Sequence, residues 1–353
     1  MHFLGNLSSV HLSTWFSLYQ QANLPYKGLY SVHPLVGEHN NAKQIYILSK
    51  VISYILLGIY LLFKLPSESI LHAHGASGYG LSALISRKRF VVTVYGSEVF
   101  VSHNYFYNLM MKLIFTRASV ITVTSAAAKQ KIMAQFGINE KKISLFHTGI
   151  NTMQLSNNRK PSPLWQNDSS LKCLSMRNTA PHYQTETIIQ SFLNATKQNQ
   201  LGEKPQLIVI LGNGDEGYFN RLKSDYDSEY ILFIDELLKP SETHALINGS
   251  DVCINFPKTD QLSATLLEAI YYGKKIICSD VPAYQEFFSL CKQTGIQPTV
   301  VSPDALEKTL IDVIAATAPA MDIGPTIIEQ HYSQTSAANC FKQSISKHFG
   351  ELS

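Results

Sequence analysis

Charge is scarce in this chain. Only 16% of its 353 residues are Asp, Glu, Lys or Arg, where soluble domains carry nearer a quarter. The formal net charge of +3 makes no demand for a nucleic-acid partner. Cysteine pairs of the C-x-x-C kind are missing. The five cysteines, at 173, 253, 278, 291 and 340, are scattered and several sit in apparent strands. They read as buried thiols in a reducing, cytoplasmic compartment. The N-terminus MHFLGNLSS has no basic region and no long apolar core, so no signal peptide is expected. Repeats and low-complexity tracts are lacking too. The longest uncharged apolar run, VISYILLGIYLLF at residues 51–63, is too short to span a bilayer and reads as a buried helix. What remains is a length that suits two domains and a 45% share of hydrophobic residues, enough for two cores.

The first half alternates strand and helix. MHFLG, GLYSV, SILHAHG, FVVTVYG, SVITVTS and ISLFHTG read as strands, and the polar turn NLSSVHLS leads into a helix around Trp15. Such alternation implies a parallel sheet covered on both faces. Ligands then bind beyond the carboxyl ends of the strands. His74, Tyr95, Gly96, Ser97, Glu98, Ser125 and Gly149 fall at those ends. His72 and His74 share a strand and are expected to face opposite sides, with His72 structural. Residues 151–170, polar and proline-containing, read as an interdomain linker.

The second half centres on PKTDQLSATLLEAIYYGKKIICSD, residues 257–280. Ser263 caps a helix that Gly273 ends, and KKIICSD resumes as a strand. Free N–H groups at Ser263, Ala264 and Thr265 form an anion site suited to phosphate. Glu268 lies about 7 Å further along the axis and leans back toward that end, within reach of a nucleotide's ribose. Upstream, the strand LKCLSMR ends at Arg177, and Asp260 precedes the helix.

These stretches resemble the retaining family 4 glycosyltransferases with the GT-B fold. The E-x7-E motif is matched by Asp260, Leu266-Leu267, Glu268, Ala269, Gly273 and Ile276-Ile277, with aspartate for the first glutamate, Gln261 and Ser263 for glycines and Lys275 for proline. The first-domain motifs are matched by ILHAH, TVYGSE, TSAAAKQKI and LFHTGIN, with Tyr95 in place of a donor-touching histidine and Glu98 for aspartate. RNTAPHYQTETIIQSF resembles the R-x-x-x-x-K-G stretch. Its lysine is replaced by His182-Tyr183, which leaves Arg177 as the main diphosphate cation.

The resemblance implies an α/β fold of two Rossmann-like domains with parallel sheets facing a cleft. It places an acceptor domain at 1–155, a nucleotide-sugar domain at 156–325 and a C-terminal helix at 326–353 crossing back to the first domain. It implies transfer from a UDP- or GDP-sugar to a glycan or polyprenyl-linked acceptor in cell-surface polysaccharide synthesis, such as lipopolysaccharide or capsule. Retention, no metal and no cofactor are expected. Arg177, Asp260, His74 and Tyr95 take the catalytic roles. Glu268, Gln261, Leu262, Ser263, Ala264, Thr265, Gly212, Asn213, Gly214, Asp235 and Glu236 hold the donor. Ser9, His11, Gly96, Ser97 and Glu98 lie on the acceptor side. The alternative to a buried helix at 51–63 is that these residues, with the basic trio Arg87-Lys88-Arg89 beside Phe90, make peripheral contact with an anionic inner membrane face.

Two rivals stand beside this. Gly212, Gly214 and Gly217 form G-x-G-x-x-G after a strand, and Asp235 follows about twenty residues on, the dinucleotide fingerprint of an NAD-dependent oxidoreductase. The helix after it, YFNRLKSDYD, is too polar to pack on the sheet in the way that fingerprint requires. The substituted Asp260, Glu98 and Tyr95 suggest instead a sugar-nucleotide-binding protein without turnover. Asp225 and Asp227, a D-x-D pair, follow polar residues and read as a solvated turn.

Overall fold

Runs such as LIVI at 207–210 are apolar at every position, and a strand of that kind needs cover on both faces. The computed structural model builds two parallel sheets from such runs. It describes residues 1–6, 10–33, 42–45, 49–95, 97–100, 104–145, 147–166, 171–198, 200–260, 262–293, 298–315 and 324–350. Two compact units result, one from residues 1–149 with 334–353, the other from residues 150–333.

The first unit holds β1 (His2–Leu4), β2 (Gly28–Ser31), β3 (Ala42–Gln44), β4 (Ile70–His74), β5 (Arg89–Thr93), β6 (Val120–Val123) and β7 (Ile143–Leu145). Their order is β3-β2-β1-β4-β5-β6-β7, all parallel. Its helices are α1 (Val10–Gln21), α2 (Lys50–Lys64), α3 (Gly78–Ile85), α4 (Ser97–Phe100), α5 (Tyr105–Arg117) and α6 (Ala126–Phe136). The steps from β3 to β4, β4 to β5 and β5 to β6 all run the same way, so right-handed crossovers place α2, α3 and α5 on one face. The step from β1 to β2 runs back and places α1 on the other. Ser125 caps α6 by accepting from the Ala128 N–H, and Gly137 ends it at φ 67°.

The second unit holds β8 (Leu171–Ser175), β9 (Pro205–Ile210), β10 (Ile231–Ile234), β11 (Val252–Asn255), β12 (Lys275–Ser279) and β13 (Thr299–Val301), in parallel order β10-β9-β8-β11-β12-β13. Around it run α7 (Thr152–Asn157), α8 (Thr185–Lys197), α9 (Glu216–Asp225), α10 (Pro240–Gly249), α11 (Ala264–Tyr271), α12 (Gln285–Gln293), α13 (Leu306–Ala315) and α14 (Gly324–Ile327), then a π turn over Ile328–Tyr332. The last helix, α15 (Gln334–Phe349), belongs to the first unit. It buries Ala337, Ala338, Phe341 and Ile345 beside Trp15 and Tyr19 of α1.

Three local expectations change. The strand β3 was not anticipated. The stretch 151–170, expected as a linker, is structured over its described residues: α7 forms, and Trp165 is buried with its Nε1–H donating to the Leu246 carbonyl at 3.0 Å. The run 51–63 is not a buried helix. In α2 only Ser53, Leu57, Gly58 and Leu61 are buried, while Val51, Ile52, Ile55, Ile59 and Phe63 are exposed. A helix laid on one face of a sheet buries one stripe, whatever the composition of the rest. Phe90, beside the basic trio, is core.

Candidate functional site

At the carboxyl ends of β8 and β11 the chain brings two loops together. The Lys258 N–H donates to the His182 carbonyl at 2.9 Å, and the Gln184 amide donates to the Phe256 carbonyl at 3.0 Å. This stitching sets Arg177 against Asp260, Nη1 to Oδ2 at 2.8 Å, with side chains 17% and 16% exposed. The same guanidinium lies 4.6 Å from the centre of the Tyr183 ring and donates to its hydroxyl at 3.1 Å. Tyr284 donates to Asp260 Oδ2 at 2.8 Å and accepts from Asn255 Nδ2 at 2.8 Å. Burial alone pulls the Arg177 pKa down, but Asp260 and Tyr183 outweigh it and hold the group more firmly charged. Burial, then the Asp260 carboxylate, pushes the Tyr284 hydroxyl up, so it stays a donor.

Beside this cluster α11 starts. Ser263 Oγ accepts from the Leu266 N–H at 3.2 Å and lies 3.2 Å from Thr265 Oγ1. Leu262 is buried, Ala264 exposed and Thr265 half-buried. Ser263 takes up one of the first-turn donors; others at such an end have no intrahelical partner. Glu268 is half-buried on the same helix, its Oε1 3.5 Å from His244 Nε2 of α10. His244 Nδ1 is buried with no partner among the described residues. Gln261 lies outside the described residues.

The glycine loop explains itself without a pyrophosphate. A Cβ on Gly212 would strike Asn178 Oδ1, and one on Gly214 would strike the Thr179 carbonyl. Gly217 has room. Thr179 and Asp215 lace the two loops together, Asp215 N–H to Thr179 O at 2.8 Å. Two acids, Asp215 and Glu216, stand at the start of α9, which disfavours a phosphate there. Asn213 lies in this loop. Asp235 and Glu236 are exposed beyond β10, with Asp235 3.4 Å from Lys223 Nζ. Asp225 pairs with Arg221 on α9 at 3.1 Å. Among the described residues no three His, Cys, Asp or Glu side chains converge as a metal site.

In the first unit, His72 and His74 share one face, because residues two apart on a strand point the same way. Their rings are 4.1 Å apart. The expectation of opposite sides was an error of period. His72 is structural: its ring nitrogens lie 2.9 Å from the Tyr19 hydroxyl and 2.8 Å from Thr93 Oγ1, and burial lowers its pKa to about 3. His74 is buried between Phe3 and Trp15, with both ring nitrogens unpartnered among the described residues. Burial, then His72, keeps it neutral. Burial also pushes the Tyr95 hydroxyl up. Glu98 is spent on the backbone. It accepts from the Ser77 N–H and Oγ at 2.8 and 3.0 Å and from the Tyr95 N–H at 3.1 Å, tying two strand-end turns together. Ser9 and Gly96 lie outside the described residues, as do the side chains of His11 and Ser97.

The sequence reading missed Tyr284, Asn255 and His244. No motif marks them, and only the fold brings them to Asp260 and Glu268.

Two parallel α/β units, with a last helix returning to the first, define a GT-B architecture. The structure of Anabaena HepE with UDP and glucose is similar at a TM-score of 0.74 and 11% identity, covering 98% of this chain and 99% of that one. The lipopolysaccharide outer core galactosyltransferase WaaB is similar at 0.68 and 16%, covering 98% and 99%. Sucrose-phosphate synthase from Thermosynechococcus elongatus is similar at 0.71 and 13%, covering 99% and 98%. At these identities the likeness establishes the fold. By sequence, no curated protein matches. Residues 56–154 match the family Glycosyltransferase Family 4. The GT-B fold read from the sequence is thus borne out, and so, over residues 56–154, is the family 4 resemblance. The family match covers the first-domain motifs ILHAH, TVYGSE, TSAAAKQKI and LFHTGIN.

Proposed function

We propose that this protein is a glycosyltransferase that moves a sugar, with retention and without a metal, from a nucleotide donor to a glycan or polyprenyl-linked acceptor in cell-surface polysaccharide synthesis. The carrying observation is the buried Arg177–Asp260–Tyr284 cluster beside the start of α11. Arg177 and the first-turn N–H groups of α11 are donors fixed before the reaction, suited to the charge that grows on a departing diphosphate. Asp260 takes the sugar hydroxyls and Glu268, steadied by His244, the ribose. The Asp260 carboxylate is engaged by Arg177 and Tyr284 and is assigned to the sugar hydroxyls rather than to attack, so the leaving phosphate helps to deprotonate the acceptor. A UDP-sugar is favoured over a GDP-sugar because HepE, the similar structure above, is known with UDP and with UDP-glucose. The first unit, with His74 and Tyr95, serves the acceptor on the cytoplasmic side of the membrane.

Purified protein incubated with UDP- and GDP-sugars and a polyprenyl-linked acceptor tests this. The expected result is nucleotide diphosphate release with an acceptor product of unchanged anomeric configuration, lost in Arg177→Ala. Inverted product overturns retention. Tight nucleotide binding without turnover on any acceptor favours the non-catalytic reading.

A further inference from the structure

The outer layer of the first unit has its polarity reversed. A helix that covers a sheet ordinarily turns a polar stripe to water. In α2 the outward stripe is Val51, Ile52, Ile55, Ile59 and Phe63, with Phe63 83% exposed. On the same face of the sheet α5 turns out Tyr105, Phe106, Leu109 and Leu113, with Phe106 79% exposed. Between them α3 packs against both. These two helices hold nine of the fifteen exposed large hydrophobic side chains among the described residues. Singly exposed apolar residues are ordinary, but nine gathered on two helices that flank a third mark an interaction surface.

Charge says what covers it. Residues 39–139 carry ten lysines and arginines against two acids, Glu68 and Glu98, so this stretch is +8 in a chain whose total is +3. Glu98 is engaged by backbone and Ser77 donors, and neither α2 nor α5 contains an acid. Lys50 and Lys64 stand at the two ends of α2, and Lys112 and Arg117 are exposed on the outward side of α5. An apolar stripe with basic residues at its ends and flanks suits the interface of an anionic bilayer, where long basic side chains reach the headgroups. A second copy of the same surface fits poorly, because two such basic faces repel. No described helix is long and apolar enough to cross a membrane, so the contact is with the surface.

We infer that the outward faces of α2 and α5 together form the surface by which the first unit lies on an anionic membrane. The inference deepens the membrane-side reading above and rests on it for the choice of leaflet, but not on transfer activity. It also differs from the expected basic trio. Arg89 is turned away, its Nη2–H donating to the His348 carbonyl at 2.6 Å and its guanidinium 4.5 Å from the Phe349 ring. The aromatic and aliphatic side chains enter the headgroup boundary, and the flanking basic residues hold the orientation.

Co-sedimentation of the full chain with vesicles of phosphatidylcholine alone, or with added phosphatidylglycerol, tests it. Binding is expected only with phosphatidylglycerol and should weaken at high salt. Lys64→Gln and Lys112→Gln should each lower partitioning about fivefold, and Ile59→Glu with Phe106→Glu by at least about tenfold. Met153→Glu, on an exposed apolar residue of the other unit, should leave it unchanged. UDP-induced thermal stabilisation, unaltered in every variant, shows that each has folded and reads the donor site separately. Equal binding to both vesicle types, wild-type binding by Ile59→Glu/Phe106→Glu, or concentration-dependent self-association without vesicle binding overturns the inference.

Discussion

Asp260→Asn should make the protein less stable and yet bind UDP more tightly. The substitution keeps the shape and removes the charge that faces Arg177 at 2.8 Å. At that spacing Coulomb attraction is ~6 kcal/mol for an effective dielectric of 20, before desolvation is subtracted. Both side chains are more than four-fifths buried, so leaving the guanidinium without its counter-charge costs about 3–5 kcal/mol. Tyr284 can still donate to the asparagine oxygen, which keeps the loop in place. A diphosphate arriving at this variant meets an Arg177 that no carboxylate neutralises, and no like charge repels it. A charge-assisted hydrogen bond contributes about 1.5–3 kcal/mol net, so UDP affinity should rise at least about tenfold. Turnover should fall, because the contact with the sugar hydroxyls is lost. Differential scanning fluorimetry without and with UDP reads both signs, and titration calorimetry gives the dissociation constant. A folded Asp260→Asn protein that binds UDP no better than the parent would refute the pairing of Arg177 with the diphosphate.

Glu268→Gln should weaken UDP binding by about 1.5–3 kcal/mol, the contribution of one hydrogen bond to a charged group; calorimetry giving the parent's affinity removes Glu268 from the ribose. Transfer should survive EDTA, and activity lost to EDTA and restored by magnesium or manganese would revive Asp225 and Asp227. Acid should destabilise the first unit through His72, whose pKa burial lowers to about 3 from 6.5. The folded pKa lies below the unfolded one, so its stabilisation is complete above pH 6.5 and falls by up to about 1.4 kcal/mol per pH unit toward 3. His72→Gln should show a shallower loss of melting temperature across that window, and an unchanged slope would assign the effect to other groups.

Much of the fold was legible because parallel sheets leave a plain signature. Strands buried on both faces are largely apolar without alternation, as in VITV of β6 and LIVI of β9. Ser125, Gly137 and Ser263 mark their helices because orphan donors and left-handed ends admit few residue types. What composition does not carry is which stripe of an apolar helix meets the sheet. Between Lys50 and Lys64 the outward positions of α2 are as apolar as the inward ones, so sequence alone reads core where the fold leaves surface.

The site was legible in its parts but not in its pairings. Arg177 and Asp260 stand out separately, one at a strand end and one before a helix. That they meet each other follows from the stitching of 182 to 258, a contact across 76 positions that no local pattern encodes. Tyr284 and Asn255 are still less visible, since a tyrosine after a strand is ordinary until its hydroxyl is found fixed between an amide and a carboxylate. Glu98 is the converse case. A carboxylate at a strand end invites a ligand role, but here its oxygens already accept from three donors of the chain, so what it contributes is the shape of the two turns that present Tyr95 and Ser77. A polar residue's spacing thus shows that it is placed at the ligand side of a sheet, whereas its hydrogen-bond partners decide whether it faces the ligand or holds the residues that do.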